Sequence, residues 1–487
     1  MLDLNDIQGD EELLMKKIFY LILFFILTGC TVGPNYHAPI NQLPSHYSAS
    51  TTSKTFSSHK ETHFWNDSFN DPILMNLIVQ ALQGNNLDLQ QAFAKIRQSR
   101  AELGIARADL YPQLNASGHL NRDRLSGNSE ILSAFPPGII PLSYTDYNIR
   151  FDASWELDFF GHNRRSVEAA RARFQSSIES QYNAIITVAA EVARTYTQYR
   201  VYQQRILIAK HTIDSYAKTV HLVRLQNKAG SATGIDVSRV ESELLSAKSA
   251  LPPLEAEARA TLAALAVLVG ETPENLFSQL SETAPIPIMN KRAISVGLPS
   301  DLLQRRPDIK MAERTLAAAT ADIGVAVANE FPRFQLAGDL GYDTTKPGTY
   351  FHRASAFWSV GPNVSVPIFQ GYRLKNAVKA QEAARDIAFA NYKQSVLQAL
   401  ADVESSLIRY NRERSKNKKL LAAYHKLQTV HNLVRLQYRD GQISLMDVLD
   451  VERQLDQLND QYVQSVGQVT IDFISLYKAV GGEWDCA

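Results

Sequence analysis

Cysteine is nearly absent. Cys30 and Cys486 are the whole complement of a 487-residue chain, which excludes a disulfide framework and any multi-cysteine metal site. An excess of charge of either sign is absent too: 50 basic residues face 50 acidic ones, so nothing resembles the clustered Lys and Arg footprint of a nucleic-acid binder. The apolar run Ile18 to Leu27 is too short to cross a membrane as a helix, since ~1.5 Å per residue leaves about half of the ~30 Å hydrocarbon layer unspanned. Motifs for nucleotide, dinucleotide and zinc-protease chemistry are also missing. The stretch from Gly341 to Gly348 has the glycines of a phosphate loop but not the Lys and Ser or Thr that should follow. His59 and His63 have a metal-binding spacing only on a helix, and they sit in a Ser- and Thr-rich stretch instead. These absences point away from an enzyme, and no cofactor or metal is implied.

What is present is a sequence written twice. Leu222, Leu225, Gln226, Gly230, Asp236, Val237, Val240, Glu241 and Leu244 recur 211 positions later as Leu433, Leu436, Gln437, Gly441, Asp447, Val448, Val451, Glu452 and Leu455. Upstream, Tyr111-Pro112 answers to Phe331-Pro332, and Phe159-Phe160-Gly161 to Phe369-Gln370-Gly371. The unit is about 200 residues long, and its two copies differ in loop length.

The N-terminal region carries a processing signal. Met15-Lys16-Lys17, the apolar run and Leu27-Thr28-Gly29-Cys30 form the n-region, h-region and small-residue end of a secretory signal peptide. The acidic residues before Met15 have the wrong charge for an n-region, so the reading sets the start of translation at Met15. Leu-Thr-Gly-Cys resembles the bacterial lipobox, which makes Cys30 the lipidated first residue of the mature chain. Thr31 after it, rather than Asp, implies delivery to the outer membrane. Thr31 to about His63, rich in Pro, Ser, Thr and Asn, reads as an extended tether without a core.

Two pairs of strands follow, one pair per repeat. From Tyr147 to Phe159 every odd position is apolar or small and every even one polar, which gives a strand with two unlike faces. Trp358, Val360, Val364, Val366 and Ile368 repeat the pattern, and shorter partners begin near Leu114 and Phe334. A half-buried soluble sheet gives the same alternation; a secreted, lipid-anchored chain makes a transmembrane barrel the stronger reading. Four strands cannot close a barrel, because the smallest spanning barrels have about eight, so several chains must contribute.

The helical segments are long. Arg164 to about Lys228 contains no Pro or Gly, and with Arg373 to Arg439 it makes two helices of roughly 100 Å at ~1.5 Å per residue. Gly230 and Gly441 end them, and shorter helices are expected over 234–269 and 445–479, the first kinked or broken at Pro252-Pro253. Helices over 72–107 and 301–329 precede the strand pairs. The basic run Arg412, Arg414, Lys416, Lys418 and Lys419 reads as a solvated helix face.

The chain resembles the outer membrane factors of the TolC type, in the lipoprotein branch of OprM and the NodT-like proteins. The residues that carry this are Leu27 to Cys30 with Gly33 to Tyr36, Trp155 to Gly161, the stretch from Leu298 to Ile309, and Ile323 to Ala326 leading to Phe331-Pro332. The resemblance implies a mainly α chain with transmembrane β structure. It also implies a homotrimer whose twelve-stranded β-barrel, four strands per chain, continues into a long periplasmic α-helical barrel. It implies a passive exit duct for drugs or other small molecules, served by a periplasmic adaptor protein and an inner membrane pump of the resistance-nodulation-division class. A duct for type I protein secretion is the alternative. The expected organisation is a signal peptide over 1–29, a lipidated tether over 30–70, repeats over 71–285 and 286–480, and a tail over 481–487. The family's periplasmic gate maps onto Asp236, Met446, Asp447, Asp450 and Arg453. The same aspartates also have the position of helix caps.

Overall fold

Local start and stop signals account for most of the elements. A computed structural model describes residues 31–40, 43–47, 69–127, 136, 139, 141–289 and 299–482; Cys30, the signal segment, His59, His63 and Cys486 lie outside them. In the first repeat α1 (Pro72–Gln80) and α2 (Leu87–Ala108) lead to β1 (Gln113–Arg124) and β2 (Ser143–Glu156). Then come α3 (His162–Lys228), α4 (Gly234–Val269) and a short α5 (Pro273–Leu280). The second repeat runs α6 (Leu302–Arg305), α7 (Pro307–Ala328), β3 (Arg333–Thr344), β4 (Ala356–Ser365), α8 (Arg373–Arg439) and α9 (Leu445–Ala479). The long helices α3 and α8 have 67 residues each.

Both long helices stop in the same way. Gly230 and Gly441 adopt φ of 80° and 70°. At the first, Ser231 N donates to Gln226 O and Gly230 N to Asn227 O; at the second, Gln442 N donates to Gln437 O and Gly441 N to Tyr438 O. This is the Schellman arrangement, and its left-handed residue is why glycine recurs there. Three residues on, Thr233 and Ser444 cap the next helix.

Three expectations about helices need correction. The helix over 72–107 is two helices, parted where Gly84 takes φ 104° and Asn86 is extended; Gly84-Asn85-Asn86 breaks the helical run. The helix over 301–329 is likewise parted at Arg306, extended at ψ 117° because the ring of Pro307 disfavours helical backbone before it. Conversely, α4 runs unbroken through Pro252 and Pro253. Proline's fixed φ is itself helical, so the two rings remove backbone donors without ending the helix.

The two breaks serve one purpose. Asn86 and Arg306 each stand immediately before a helix and reach the C-terminal end of their own repeat's last long helix. Asn86 Nδ2 donates to Leu268 O at 2.8 Å, and Arg306 Nη1 donates to Ala479 O at 3.0 Å. Those acceptors are again 211 positions apart. Arg306 also contacts Asp308 at 2.7 Å and Asp402 at 3.1 Å and is 8% exposed. Burial works against its charge, but the two carboxylates outweigh it and hold the guanidinium above its ordinary value.

Two compact units each draw on both repeats. One comprises Met1–Pro39, Arg97–Ser176 and Glu313–Asn391, the other Ile40–Ile96, Ser177–Ala312 and Tyr392–Ala487. The core of the second packs α1, α3, α4, α8 and α9 through Leu77, Val192, Leu265, Val403, Leu407 and Phe473. In its midst Arg200, 1% exposed, bonds Tyr196, Gln203 and the carbonyl of Glu282.

The first unit holds the four-stranded antiparallel sheet, in the order β1-β2-β3-β4. It also corrects the reading of the tether. Residues after Cys30 form no regular element but are firmly docked: Val32 N donates to Phe160 O. Arg165 donates to Val32 O at 3.1 Å, Gly33 O at 3.3 Å and Asn35 Oδ1 at 2.7 Å. Tyr36 bonds Glu313 at 2.8 Å. Gly33 lies so close to Gly324 that a Cβ on it would stand 2.5 Å from the Gly324 Cα, which leaves room for glycine alone.

Candidate functional site

The register of the sheet sorts its residues into two faces. Ala116, Phe151, Leu340 and Trp358 stand side by side across the four strands, as do Leu114, Ala153, Gly338 and Val360. The rows between them are polar: Asn115, Asp152, Asp339 and Ser359 form one, and His119, Asn148 and Asp343 another. On the polar face Asn115 donates to Asp152 at 3.1 Å, His119 and Asp146 lie 3.0 Å apart, and Ser359 bonds Asp339. On the apolar face Leu114, Phe151, Leu340, Trp358, Val360 and Val364 are exposed. The strands are shifted from the expected alternating segments: β1 runs to Arg124, β2 begins at Ser143 and ends at Glu156, short of Phe159, and β4 ends at Ser365, before Val366 and Ile368. β1 and β4 each pair on one side only, which leaves two open edges; such edges are templates for strand pairing.

The sequence-derived gate residues lie at the two turns of the second unit. Asp236 and Asp447 are each the third residue of a helix in a reciprocal capping box. Thr233 N and its hydroxyl donate to Asp236 at 2.9 and 2.7 Å, and Ser444 does the same to Asp447 at 3.0 and 2.7 Å. These bonds hold both carboxyls below their ordinary value of 3.8. Their stabilising contribution is present above that value and is lost as the pH falls through the depressed one. Both side chains are therefore occupied as caps. Asp450 and Arg453 pair on one face of α9 at 2.5 Å and are half exposed, a geometry that contributes little in water. Met446 contacts Arg239 of α4, which joins the two turns within one chain. Cys30 lies outside the described residues, but Thr31 next to it packs on Gly161.

Behind the second turn is a buried polar cluster that the sequence reading missed. Glu452 is 8% exposed and accepts a 2.5 Å hydrogen bond from Ser215 Oγ. Asp456, one turn further, is pushed up to about 6 by burial, against a hydrogen bond from Thr212 and with help from Glu452. The signal for it was the spacing of Glu452 and Asp456, which puts both on the face of α9 that also carries Leu449. A carboxyl raised in the folded state favours that state at low pH and penalises it as pH rises through about 6. Asp456→Asn should therefore flatten the pH dependence of amide exchange in α9 between pH 4 and 7. An unchanged pH profile in that variant would count against the buried carboxyl.

Comparison with known proteins agrees with this architecture. The family described as outer membrane efflux protein matches residues 77–271 and 298–482, one match in each repeat. Nodulation protein T of Rhizobium leguminosarum bv. viciae is 30% identical over 461 residues, covering 95% of this chain and 92% of its own. The antibiotic efflux pump outer membrane protein ArpC of Pseudomonas putida is 30% identical over 469 residues, 94% of each chain. The solved structure of the outer-membrane channel OprN superposes with a TM-score of 0.85 at 30% identity, covering 93% of this chain and 100% of that one. Four strands, paired long helices and a family match in both repeats lead to one conclusion: the chain belongs to the outer membrane efflux protein family.

Proposed function

We propose that the protein is the outer membrane duct of a tripartite efflux system, working as a homotrimer with a periplasmic adaptor protein and an inner membrane resistance-nodulation-division pump. The open-edged sheet with one apolar and one polar face carries this reading. Three copies supply twelve strands, enough to leave a water-filled lumen. The apolar rows then face lipid and the polar rows the lumen, where exporting a small molecule requires no bond to be made or broken. Energy and most of the selectivity belong to the pump.

Lipidation of Cys30 anchors each copy to the outer membrane at ~0.8 kcal/mol per buried CH₂. The docked segment Thr31 to Tyr36 supports this, since it ties the residues after the anchor to Arg165. The periplasmic gate is formed at the turns by Asp236, Met446, Asp447, Asp450 and Arg453. The link between Met446 and Arg239 and the Asp450–Arg453 pair support the second turn as the principal site. Rings of three carboxylates there favour cations.

Single-channel conductance tests the gate. Asp450→Ala should raise the open fraction several-fold and admit large antibiotics to cells, while Asp236→Ala, which removes a cap in the other turn, should act less. Channels as tight as the parent in Asp447→Ala and Asp450→Ala exclude these residues from the constriction. Loss of the gene product should also increase sensitivity to the compounds its pump exports.

A further inference from the structure

The repeat leads one to expect the same tie behind each turn, and the two copies make different ones. In the first repeat Glu241 of α4 accepts from Arg224 of α3 at 2.9 and 2.6 Å, an exposed contact within one hairpin. Arg435 and Glu452 occupy the matching positions of the second repeat. Glu452 does not turn to Arg435. Its carboxylate crosses to the other repeat and accepts from Ser215 Oγ of α3 at 2.5 Å. One turn before it, Leu449 buries with Tyr216, Val220, Val223 and Val240. His431 of α8, which stands where the first repeat has Val220, faces the same carboxylate, and its buried Nε2 has no hydrogen-bond partner.

We propose that Glu452 is a positioning residue of the gate: its buried bond to Ser215 latches α9, with the Asp450–Arg453 turn that α9 carries, onto the long helix of the opposite repeat. The Asp450–Arg453 pair lies within one helix and so does not itself tie α9 to α3. Moving α9 away from α3 requires the Glu452 carboxylate to lose its donor while still partly enclosed, which is costly for a charged acceptor. Ser215 matters as much as Glu452. Lys426 stands at its position in the other repeat, and the short hydroxyl at 215 is what lets the carboxylate approach. Among the described residues Glu241 makes no such crossing to the opposite long helix, which makes the second turn the regulated one. This rests on the gate reading above.

The test uses the full-length lipidated protein in planar bilayers, with amide exchange of residues 445–456 measured in parallel and trimer recovery as the folding check. Ser215→Ala and Glu452→Ala should each raise the open fraction roughly ten-fold, the order expected for a hydrogen bond to a charged group. The double variant should go no further than the larger single one, because both remove the same bond. Glu452→Gln, whose amide oxygen still accepts from Ser215, should recover most of the lost closure. Glu241→Ala should leave gating at the parental level. If Asp450→Ala opens the channel and Ser215→Ala does not, the latch is wrong and the gate reading stands. If neither opens it, the gate reading fails, and exchange decides the latch: faster exchange over 445–456 in Ser215→Ala upholds the attachment of α9, and unchanged exchange overturns it.

Discussion

Arg306→Ala should be the most damaging single substitution in the helical unit, lowering stability by roughly 3–5 kcal/mol, the range for removing one partner of a buried ion pair. The guanidinium serves three groups at once. It neutralises Asp308 and Asp402 and satisfies the carbonyl of Ala479. Alanine leaves two carboxylates near each other with no cation and an α9 carbonyl without its donor. Arg306→Lys should recover only part of the loss, because an ammonium cannot present a planar fork to two carboxylates. The measurement is the temperature at which the assembled protein dissociates, with Asn86→Ala as a comparison. Asn86 makes the equivalent tie in the first repeat with a neutral amide, so its loss should be distinctly smaller. Equal effects would mean that the charge network adds nothing to the tie.

Leu340→Arg should prevent insertion into the outer membrane. Leu340 is exposed in the middle of the apolar row between Phe151 and Trp358, where an arginine facing lipid costs roughly 2–4 kcal/mol at mid-membrane. In the proposed trimer that cost applies three times. Asp339→Arg, one residue away, should insert normally: it lies on the polar face opposite Asp152, where an opposite charge relieves like-charge repulsion. Its effect should be on ion preference instead. Fractionation of outer membranes separates the two outcomes. Equal insertion of both variants would contradict the assignment of the faces.

The parts of the molecule legible in the sequence are those whose causes are local. Helices α4, α8 and α9 begin and end at the expected residues, because Gly230, Gly441, Thr233 and Ser444 each specify their turn within five residues. Strand alternation was legible for the same reason. What escaped depends on partners far along the chain. Docking of the segment after Cys30 requires Arg165 and Gly324, more than 100 residues away, and its Pro- and Asn-rich composition gives no sign of it. The buried role of Glu452 was hidden by the repeat itself, since Glu241 at the matching position is a surface residue paired with Arg224. The breaks at Asn86 and Arg306 were visible as Gly84-Asn85-Asn86 and Arg306-Pro307. The Ala-rich stretches that follow them masked both.

In the proposed assembly one chain supplies a third of a barrel. Native mass spectrometry of the protein, extracted from outer membranes in mild detergent, tests it most directly. The expected result is three copies in a twelve-stranded, β-rich assembly that conducts ions. A conducting monomer or dimer, with only four or eight strands to enclose its lumen, would contradict it.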